Sequence, residues 1–118
     1  MNSDSNATCS EEIVEGICLC PLEGVIETIS RKWTLQIVTV IGNHGSIRFN
    51  EIQTILKGIS PSSLAQRLRD LEAERIIVRN AFPEIPPRVE YSLTEDGKNL
   101  RRLIVPLMEW ASERKRRQ

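Results

Sequence analysis

The chain has 118 residues, of which 40% are hydrophobic and 27% charged, and its formal net charge is zero. This length predicts one domain with a modest core. No apolar run approaches the roughly 20 residues of a membrane helix, and the N-terminus lacks a basic segment followed by an apolar one. We therefore expect a cytoplasmic protein without a membrane partner.

The charges are distributed unevenly along the chain. Residues 1–27 hold six acidic residues and neither lysine nor arginine, whereas the rest of the chain holds 16 basic and ten acidic residues. An excess of six positive charges in this larger part is compatible with phosphate binding. The zero net charge therefore does not exclude binding to a nucleic acid.

The residues that usually carry catalysis or bind metals are sparse. The three cysteines, Cys9, Cys18 and Cys20, form an odd set in a chain expected to be cytosolic, which argues against a disulfide framework. The only histidine, His44, lies in a predicted turn, so the paired ligands of a zinc site are missing. No glycine-rich phosphate loop and no nucleophile beside a base can be found. We predict no metal, no cofactor and no enzymatic activity.

The predicted elements begin after an acidic segment, residues 1–19, that we expect to be partly disordered. A helix is predicted over Pro21–Ile29, because proline fits the first helical position. The helix predicted over Lys32–Ile41 is the most apolar and should form the centre of the core, with Gly42-Asn43-His44-Gly45 ending it.

A short helix, a turn and a second helix are predicted next. The short helix, Phe49–Leu56, follows Ser46–Arg48, which we expect to pair as the third strand of a small sheet, and its inward residues are predicted to be Phe49, Ile52, Ile55 and Leu56. A turn containing Gly58 leads to a helix over Ser60–Arg75. Its side chains at helical spacing, Leu64, Leu68 and Leu71, predict one buried stripe. This order is typical of a helix-turn-helix.

Two strands and a long helix complete the chain. Ile77–Phe82 and Arg88–Leu93 are rich in β-forming residues and flank the proline-rich Pro83–Pro87, which predicts a hairpin, or wing, directly after the second helix of the motif. The last helix is predicted from the cap at Thr94-Glu95-Asp96-Gly97 to about Arg114, with a bend at Pro106.

The helix over Ser60–Arg75 has the composition of a helix that enters a major groove. Gln pairs bidentately with adenine and Arg with guanine, so the predicted base contacts are Ser62, Ser63, Gln66 and Arg67, with Ser60 capping the same helix end. The predicted phosphate contacts are Arg48, Arg69, Arg79 and Arg88. The alternatives are a solvated helix face and an edge hairpin with solvated arginines.

The apolar surface of the last helix lacks an obvious partner within so small a domain. A second subunit would supply one, and the predicted dimer contacts are Leu22, Ile26, Leu103, Leu107 and Trp110. The alternative is packing against the helix that begins at Pro21. Residues 112–118 form a basic tail that either contacts phosphates or is solvated.

Taken in order, these motifs resemble the HxlR-type family of winged helix-turn-helix transcriptional regulators, which is close in architecture to MarR-type repressors. The resemblance covers roughly Cys20–Ala111, which we take as the domain. The matching pieces are Cys20-Pro21, Lys32-Trp33-Thr34, Arg48-Phe49-Asn50-Glu51-Ile52, Gly58-Ile59-Ser60, Leu64–Leu71 with Glu72, Val89-Glu90-Tyr91-Ser92-Leu93-Thr94 with Gly97, and Trp110. One departure is Glu74-Arg75, which replaces the glycine that commonly closes the recognition helix.

The resemblance implies a mainly α, α+β fold with a hairpin wing and terminal dimerisation helices. It implies a homodimer that binds double-stranded DNA at an inverted repeat, with Ser60–Arg75 as recognition helix. The alternative is a winged-helix module for protein contact, such as an accessory factor of the transcription machinery.

Cys20 is a candidate redox sensor, with Cys18 as the resolving partner. It precedes the predicted helix start at Pro21, where the helix dipole favours a thiolate, whereas Glu23 and Glu27 oppose that shift. Some relatives of the family use a cysteine in the matching place in this way. The alternative is an inert thiol.

Overall fold

The computed structural model describes Ile13–Val14, Ile17–Cys18 and residues 24–117. It divides into two units, residues 1–31 and residues 32–118. In the first unit, strands β1 (Ile13–Val14) and β2 (Ile17–Cys18) pair antiparallel, with Ile13 opposite Cys18. Helix α1 covers Val25–Ile29 and begins later than predicted, because Gly24 has φ −126° and ψ −121°, outside the helical region. The predicted sites at Cys20 and Leu22 lie outside the described residues.

The second unit is a winged helix-turn-helix, as predicted. Its elements are helices α2 (Thr34–His44), α3 (Phe49–Ile55) and α4 (Pro61–Ala73), strands β3 (Ile77–Phe82) and β4 (Arg88–Leu93), and helix α5 (Glu95–Arg117). Strands β3 and β4 form the antiparallel hairpin, with Ile77 opposite Leu93 at its base and Phe82 opposite Arg88 near its tip.

The predicted third strand exists as a single bridge. The N–H of Ile47 donates to the carbonyl of Tyr91 at 3.0 Å, and the N–H of Tyr91 donates back to Ile47 at 2.8 Å. This pair fixes the start of α3 beside strand β4. Because α3 precedes α4, the bridge also ties the helix-turn-helix to the wing.

The core forms where the apolar stripes of the helices meet the hairpin. The predicted stripe of α4, Leu64, Leu68 and Leu71, is at most 2% exposed. The other side chains with less than 2% exposure in this unit are Thr34, Ile37, Val38, Ile41, Ile47, Ile52, Ile76 and Ile77. Burial of side chains of this size contributes about 1.5–3 kcal/mol each, so these residues hold the unit together.

Four predicted details of the helices were wrong. Helix α2 begins at Thr34 rather than Lys32, because Trp33 has a left-handed φ of 80°. It continues through Gly42 and ends at His44, where Gly45, with a φ of 76°, is the C-cap. Ile55, predicted to point inward, is 44% exposed. Helix α5 continues past Arg114 to Arg117.

The end of α4 shows how the chain manages without the expected glycine. Arg75 itself adopts a left-handed φ of 61°. The N–H of Ile76 then reaches the carbonyl of Leu71 at 2.9 Å, and the N–H of Arg75 reaches that of Glu72 at 3.0 Å. These two bonds form a Schellman motif, with the buried Ile76 and Leu71 supplying its usual apolar pair. Helix α4 therefore ends in the motif that a glycine usually closes, with Arg75 in the left-handed position.

Candidate nucleic-acid interface

The N-terminus of α4 is built by its first serines. The Oγ of Ser60 accepts a hydrogen bond from the N–H of Ser63 at 3.1 Å, and Pro61 occupies the first helical position. This confirms the predicted cap. Ser62 and Ser63 are exposed in the same turn, and the Oγ of Ser62 lies 3.4 Å from the Oγ of Ser60.

The outer face of α4 carries a hydrogen-bonded row of polar side chains. Arg69 donates from Nη2 to the Oε1 of Gln66 at 3.0 Å, and Gln66 donates from Nε2 to the Oδ1 of Asp70 at 2.9 Å. Ser62, Gln66 and Arg69 are all exposed. These hydrogen bonds join the amide and the guanidinium, so their arrangement is partly set before any ligand is bound.

Arg67 differs from its neighbours on this helix. Its side chain is only 20% exposed, and its Nη2 lies 3.4 Å from the Oδ2 of Asp70, whose side chain is 19% exposed. Arg67 thus lies at the edge of the buried stripe and is partly neutralised. The structure brings Ser62, Ser63, Gln66 and Arg69 together on the exposed face and leaves Arg67 beside it.

Arg88 in the wing, a predicted phosphate contact, forms ion pairs and a ring contact with neighbouring residues of the hairpin. Arg88 donates from Nη2 to Glu84 at 2.8 Å and from Nη1 to Glu90 at 3.1 Å. Its guanidinium carbon lies 4.1 Å from the centre of the Phe82 ring. Glu90 accepts a further bond from the Oγ of Ser46 at 2.8 Å. Arg88 is therefore engaged in holding the hairpin and connecting it to the start of α3.

The other two predicted phosphate contacts have exposed side chains. Arg79 lies on strand β3 opposite Tyr91, and its guanidinium forms no hydrogen bond or ion pair within the described part of the chain. Arg48 precedes α3, where its backbone N–H donates to the Oε1 of Glu51 at 3.0 Å. An exposed arginine without an internal partner is available to an external anion.

Helix α5 carries an exposed apolar row at helical spacing. Leu103, Leu107 and Trp110, all predicted dimer contacts, are 73%, 47% and 58% exposed. The guanidinium carbon of Arg114 lies 5.3 Å from the centre of the Trp110 ring. Of the two other predicted contacts, Ile26 in α1 is half-buried and Leu22 lies outside the described residues. Large apolar side chains in a row on one helix face are characteristic of an association surface.

The network around Arg88 was not predicted from the sequence, although a local signal for it exists. Residues at alternate positions on a strand share a face, so Arg88 and Glu90 were bound to be neighbours. Glu84, on the other side of the proline-rich turn, completes the pair of carboxylates. The contact of Ser46 with Glu90 had no such signal, because those two residues are 44 positions apart.

The described residues were also searched for metal-binding groups and for membrane-spanning helices. Among the residues that the structure describes, no three His, Cys, Asp or Glu side chains are grouped to hold a metal ion. Within the same part of the chain, no helix combines the length and the apolar character needed to cross a bilayer.

A capped, leucine-anchored helix with a polar outer face, preceded by a short helix and followed by a hairpin wing, defines a helix-turn-helix protein of the winged class. The family model described as "HxlR-like helix-turn-helix" matches residues 28–118. The chain therefore belongs to the HxlR-like helix-turn-helix family.

Individual relatives agree with this assignment. The chain is 40% identical over 96 residues to the HTH-type transcriptional regulator YvaP of Bacillus subtilis (strain 168), which covers 80% of this chain and 88% of the relative. Among solved structures, a possible HxlR family transcriptional factor from Thermoplasma volcanium GSS1 aligns with a TM-score of 0.77 and 33% identity, over 85% of this chain and 89% of the other. The redox regulator HypR in its oxidized form aligns with a TM-score of 0.73 and 36% identity, over 80% and 96% of the two chains.

Proposed function

We propose that this protein is a homodimeric transcriptional regulator that binds double-stranded DNA sequence-specifically. The observation that carries the proposal is the exposed row Ser62, Gln66 and Arg69 on a helix whose opposite side is buried by leucines. An amide and a guanidinium on the outer face of such a helix can form bidentate bonds with base edges in a major groove. A protein that binds chromosomal DNA in this way would act in the cytoplasm of a prokaryotic cell.

Within this proposal the contacts divide into two kinds. Gln66 and Arg69 read bases, since both are exposed and hydrogen-bonded to each other. For Arg69 this replaces the phosphate contact expected from the sequence. Arg67 was predicted to contact a base, but it could do so only by breaking its ion pair with Asp70. We therefore assign Arg67 a structural role, in which it holds Asp70 in place on the helix. Arg48 and Arg79 contact phosphates, which position the protein without specifying sequence.

Dimerisation sets the form of the target. Two recognition helices related by a two-fold axis meet successive major grooves about 34–36 Å apart, so the operator is an inverted repeat. The exposed row Leu103, Leu107 and Trp110 supports association through α5. Burial of such a row against a second copy would remove the largest apolar side chains of that helix from water.

The experiment is selection of binding sites from random DNA with the full chain, followed by affinity measurements on the selected site. Gln66→Ala and Arg69→Ala should each remove preference at one position of each half-site, with a loss of about tenfold in affinity. Lys57→Ala, an exposed residue outside α4, is the control and should keep the selected sequence. Unchanged sequence preference in both α4 variants would rule out the base-reading role.

A module for protein contact is the competing function, and the salt dependence of DNA binding separates the two. Each phosphate contact steepens the fall of log affinity with log salt by about 0.9. A slope of several units supports the regulator. A nearly flat slope would favour the protein-contact module. It would mean that DNA binding releases few counterions and that the arginines therefore do not contact phosphates.

Redox control is the second part of the proposal. The similarity to the redox regulator HypR supports a thiol-responsive form of regulation, and Cys20 with Cys18 are the candidates. Hydrogen peroxide should then change the affinity of the wild-type protein for its selected site, and Cys20→Ser should abolish that change. An unchanged response in Cys20→Ser would exclude Cys20 as the sensor.

A further inference from the structure

A pocket of about 470 Å³ lies between the C-terminal part of α2, the last residues of β4 and the first half of α5. Its walls combine apolar and cationic groups. Ile41 and Leu93 supply the apolar side, and Lys98, Arg101 and Arg102 supply three positive charges. None of the described residues that line it is acidic. This volume falls within the range of small-molecule sites.

The side chain of Arg101 forms one wall because Gly42 leaves room for it. A Cβ atom at residue 42 would lie 2.1 Å from the Cδ and 2.4 Å from the Nε of Arg101, so the arginine lies directly over the glycine. Its Nη2 donates to the Oδ1 of Asn43. Its Nε is buried and has no hydrogen-bond partner within the described chain. A buried donor without an acceptor is costly, which favours an acceptor from a ligand.

The other two cations are free enough to turn toward a ligand. The Nζ of Lys98 lies 3.4 Å from Glu95, an exposed and therefore weak pair. Arg102 donates to the side chain of Asn99, a neutral partner. Two exposed cations beside a buried orphan donor form a set that suits the oxygens of an anion.

We propose that this pocket binds a small organic anion, a carboxylate or a phosphate monoester that carries an apolar group. The charged end contacts Arg101, Arg102 and Lys98, and the apolar end lies against Ile41 and Leu93. The polar outer face of α4 plays no part in this site. Leu93 is paired with Ile77 at the base of the wing, at the opposite end of the hairpin from the Phe82–Arg88 pair.

The position of the pocket gives the ligand a regulatory role, which rests on the proposed function. A bound anion would contact both the base of the wing and helix α5, the helix that carries Leu103, Leu107 and Trp110. Arg101 also links α5 to α2 through Asn43. A ligand that competes for Arg101 therefore weakens the link between the dimerisation helix and the DNA-binding unit.

Binding is tested on the full chain without DNA, with benzoate and phenyl phosphate as probes and neutral benzamide as the matched control. The readout is the amide signals of Gly42 and Gly45 in nitrogen-15 NMR spectra. Either anion should shift both signals saturably, with affinity at least about tenfold above that of benzamide, and the tighter probe identifies the headgroup. Equal binding of benzamide, or no saturable shift with either anion, would overturn the site.

Variants test which residues hold the anion. Arg102→Gln and Lys98→Gln change exposed side chains and should leave the fold intact, while each lowers the affinity about fivefold or more. Lys57→Gln removes an exposed cation elsewhere and should leave the affinity unchanged. Affinity that is unaltered in both pocket variants contradicts the assignment.

The regulatory role is tested separately on the selected DNA site. A saturating anion should change the DNA affinity of the wild type by threefold or more, and in Arg102→Gln the anion concentration that gives half of this change should be about fivefold higher. Anion binding without any change in DNA affinity would leave the pocket in place and refute its regulatory role. Failure of the protein to bind DNA at all would refute the proposed function, and the NMR result would stand.

Discussion

Gly97 and Ile76 meet so closely that a Cβ atom on residue 97 would lie 2.1 Å from the carbonyl oxygen of Ile76. The contact joins the first turn of α5 to a residue that follows the end of α4. Thr94 adds two hydrogen bonds to this contact. Its Oγ1 donates to the carbonyl of Arg75 at 2.7 Å and accepts from the N–H of Gly97 at 2.9 Å. The long helix is therefore positioned by backbone contacts that any side chain at residue 97 would block.

Gly97→Ala is predicted to destabilise the protein. The clash is with backbone, which cannot turn aside as a side chain can, so we expect a loss of about 1–3 kcal/mol in the free energy of unfolding, measured by urea denaturation. Gly42→Ala is the matched control. Its Cβ would meet the flexible side chain of Arg101 at the same 2.1 Å, so the cost should be clearly smaller. Equal losses in the two variants would contradict this explanation.

Arg75→Gly is predicted to stabilise the protein. A left-handed φ costs a residue with a Cβ about 1–2 kcal/mol, and part of this gain is offset by the greater freedom of glycine in the unfolded chain. We expect a net gain of about 0.5–1 kcal/mol in urea denaturation. Arg75→Ala keeps the Cβ while removing the charge, so it should show no such gain. A similar gain in unfolding free energy in both variants would show that loss of the guanidinium, and not relief of backbone strain, stabilises the protein.

Arg79→Ala is predicted to weaken DNA binding without weakening the fold. If Arg79 contacts a phosphate, its loss should make the slope of log affinity against log salt shallower by about 0.9 for each protomer. The unfolding free energy should change by less than about 0.5 kcal/mol, because the side chain is exposed and has no internal partner among the described residues. An unchanged slope would remove Arg79 from the contact set.

Arg88→Ala is predicted to show the opposite pattern. Its ion pairs with Glu84 and Glu90 and its contact with the Phe82 ring would all be lost, for a cost of about 1–2 kcal/mol in unfolding free energy. The salt slope should stay that of the wild type, because two carboxylates already neutralise this arginine. A shallower slope of log affinity against log salt, with an unchanged free energy of unfolding, would show that Arg88 contacts a phosphate after all.

Leu107→Asp is predicted to dissociate the proposed homodimer. A charge placed in the apolar row would be buried without a partner on association, so the dimer dissociation constant should rise at least about a hundredfold. Analytical ultracentrifugation over a concentration series measures this change. Ile55→Asp, a comparable substitution at an exposed residue of α3, should leave the association unchanged. A dimer that persists in Leu107→Asp would place the interface elsewhere.

The sequence alone determined those features that depend on neighbours in the chain. The stripe Leu64, Leu68 and Leu71 follows from helical periodicity, and the cap at Ser60 follows from a hydroxyl before a proline. Both strands of the wing were predicted with their observed bounds, because β-rich residues flank a proline-rich turn. Local preferences of this kind need no knowledge of what packs against them.

Only the tertiary structure decided the features that join distant residues. The bond between Arg101 and Asn43, 58 positions apart, forms the pocket beside α5, and the bond between Ser46 and Glu90 ties the wing to α3. The left-handed Arg75 is imposed by the need to bring Ile76 into the core and Gly97 against it. Periodicity describes which face of an element is apolar, whereas the choice of partner for each polar side chain depends on which elements the packed core brings together.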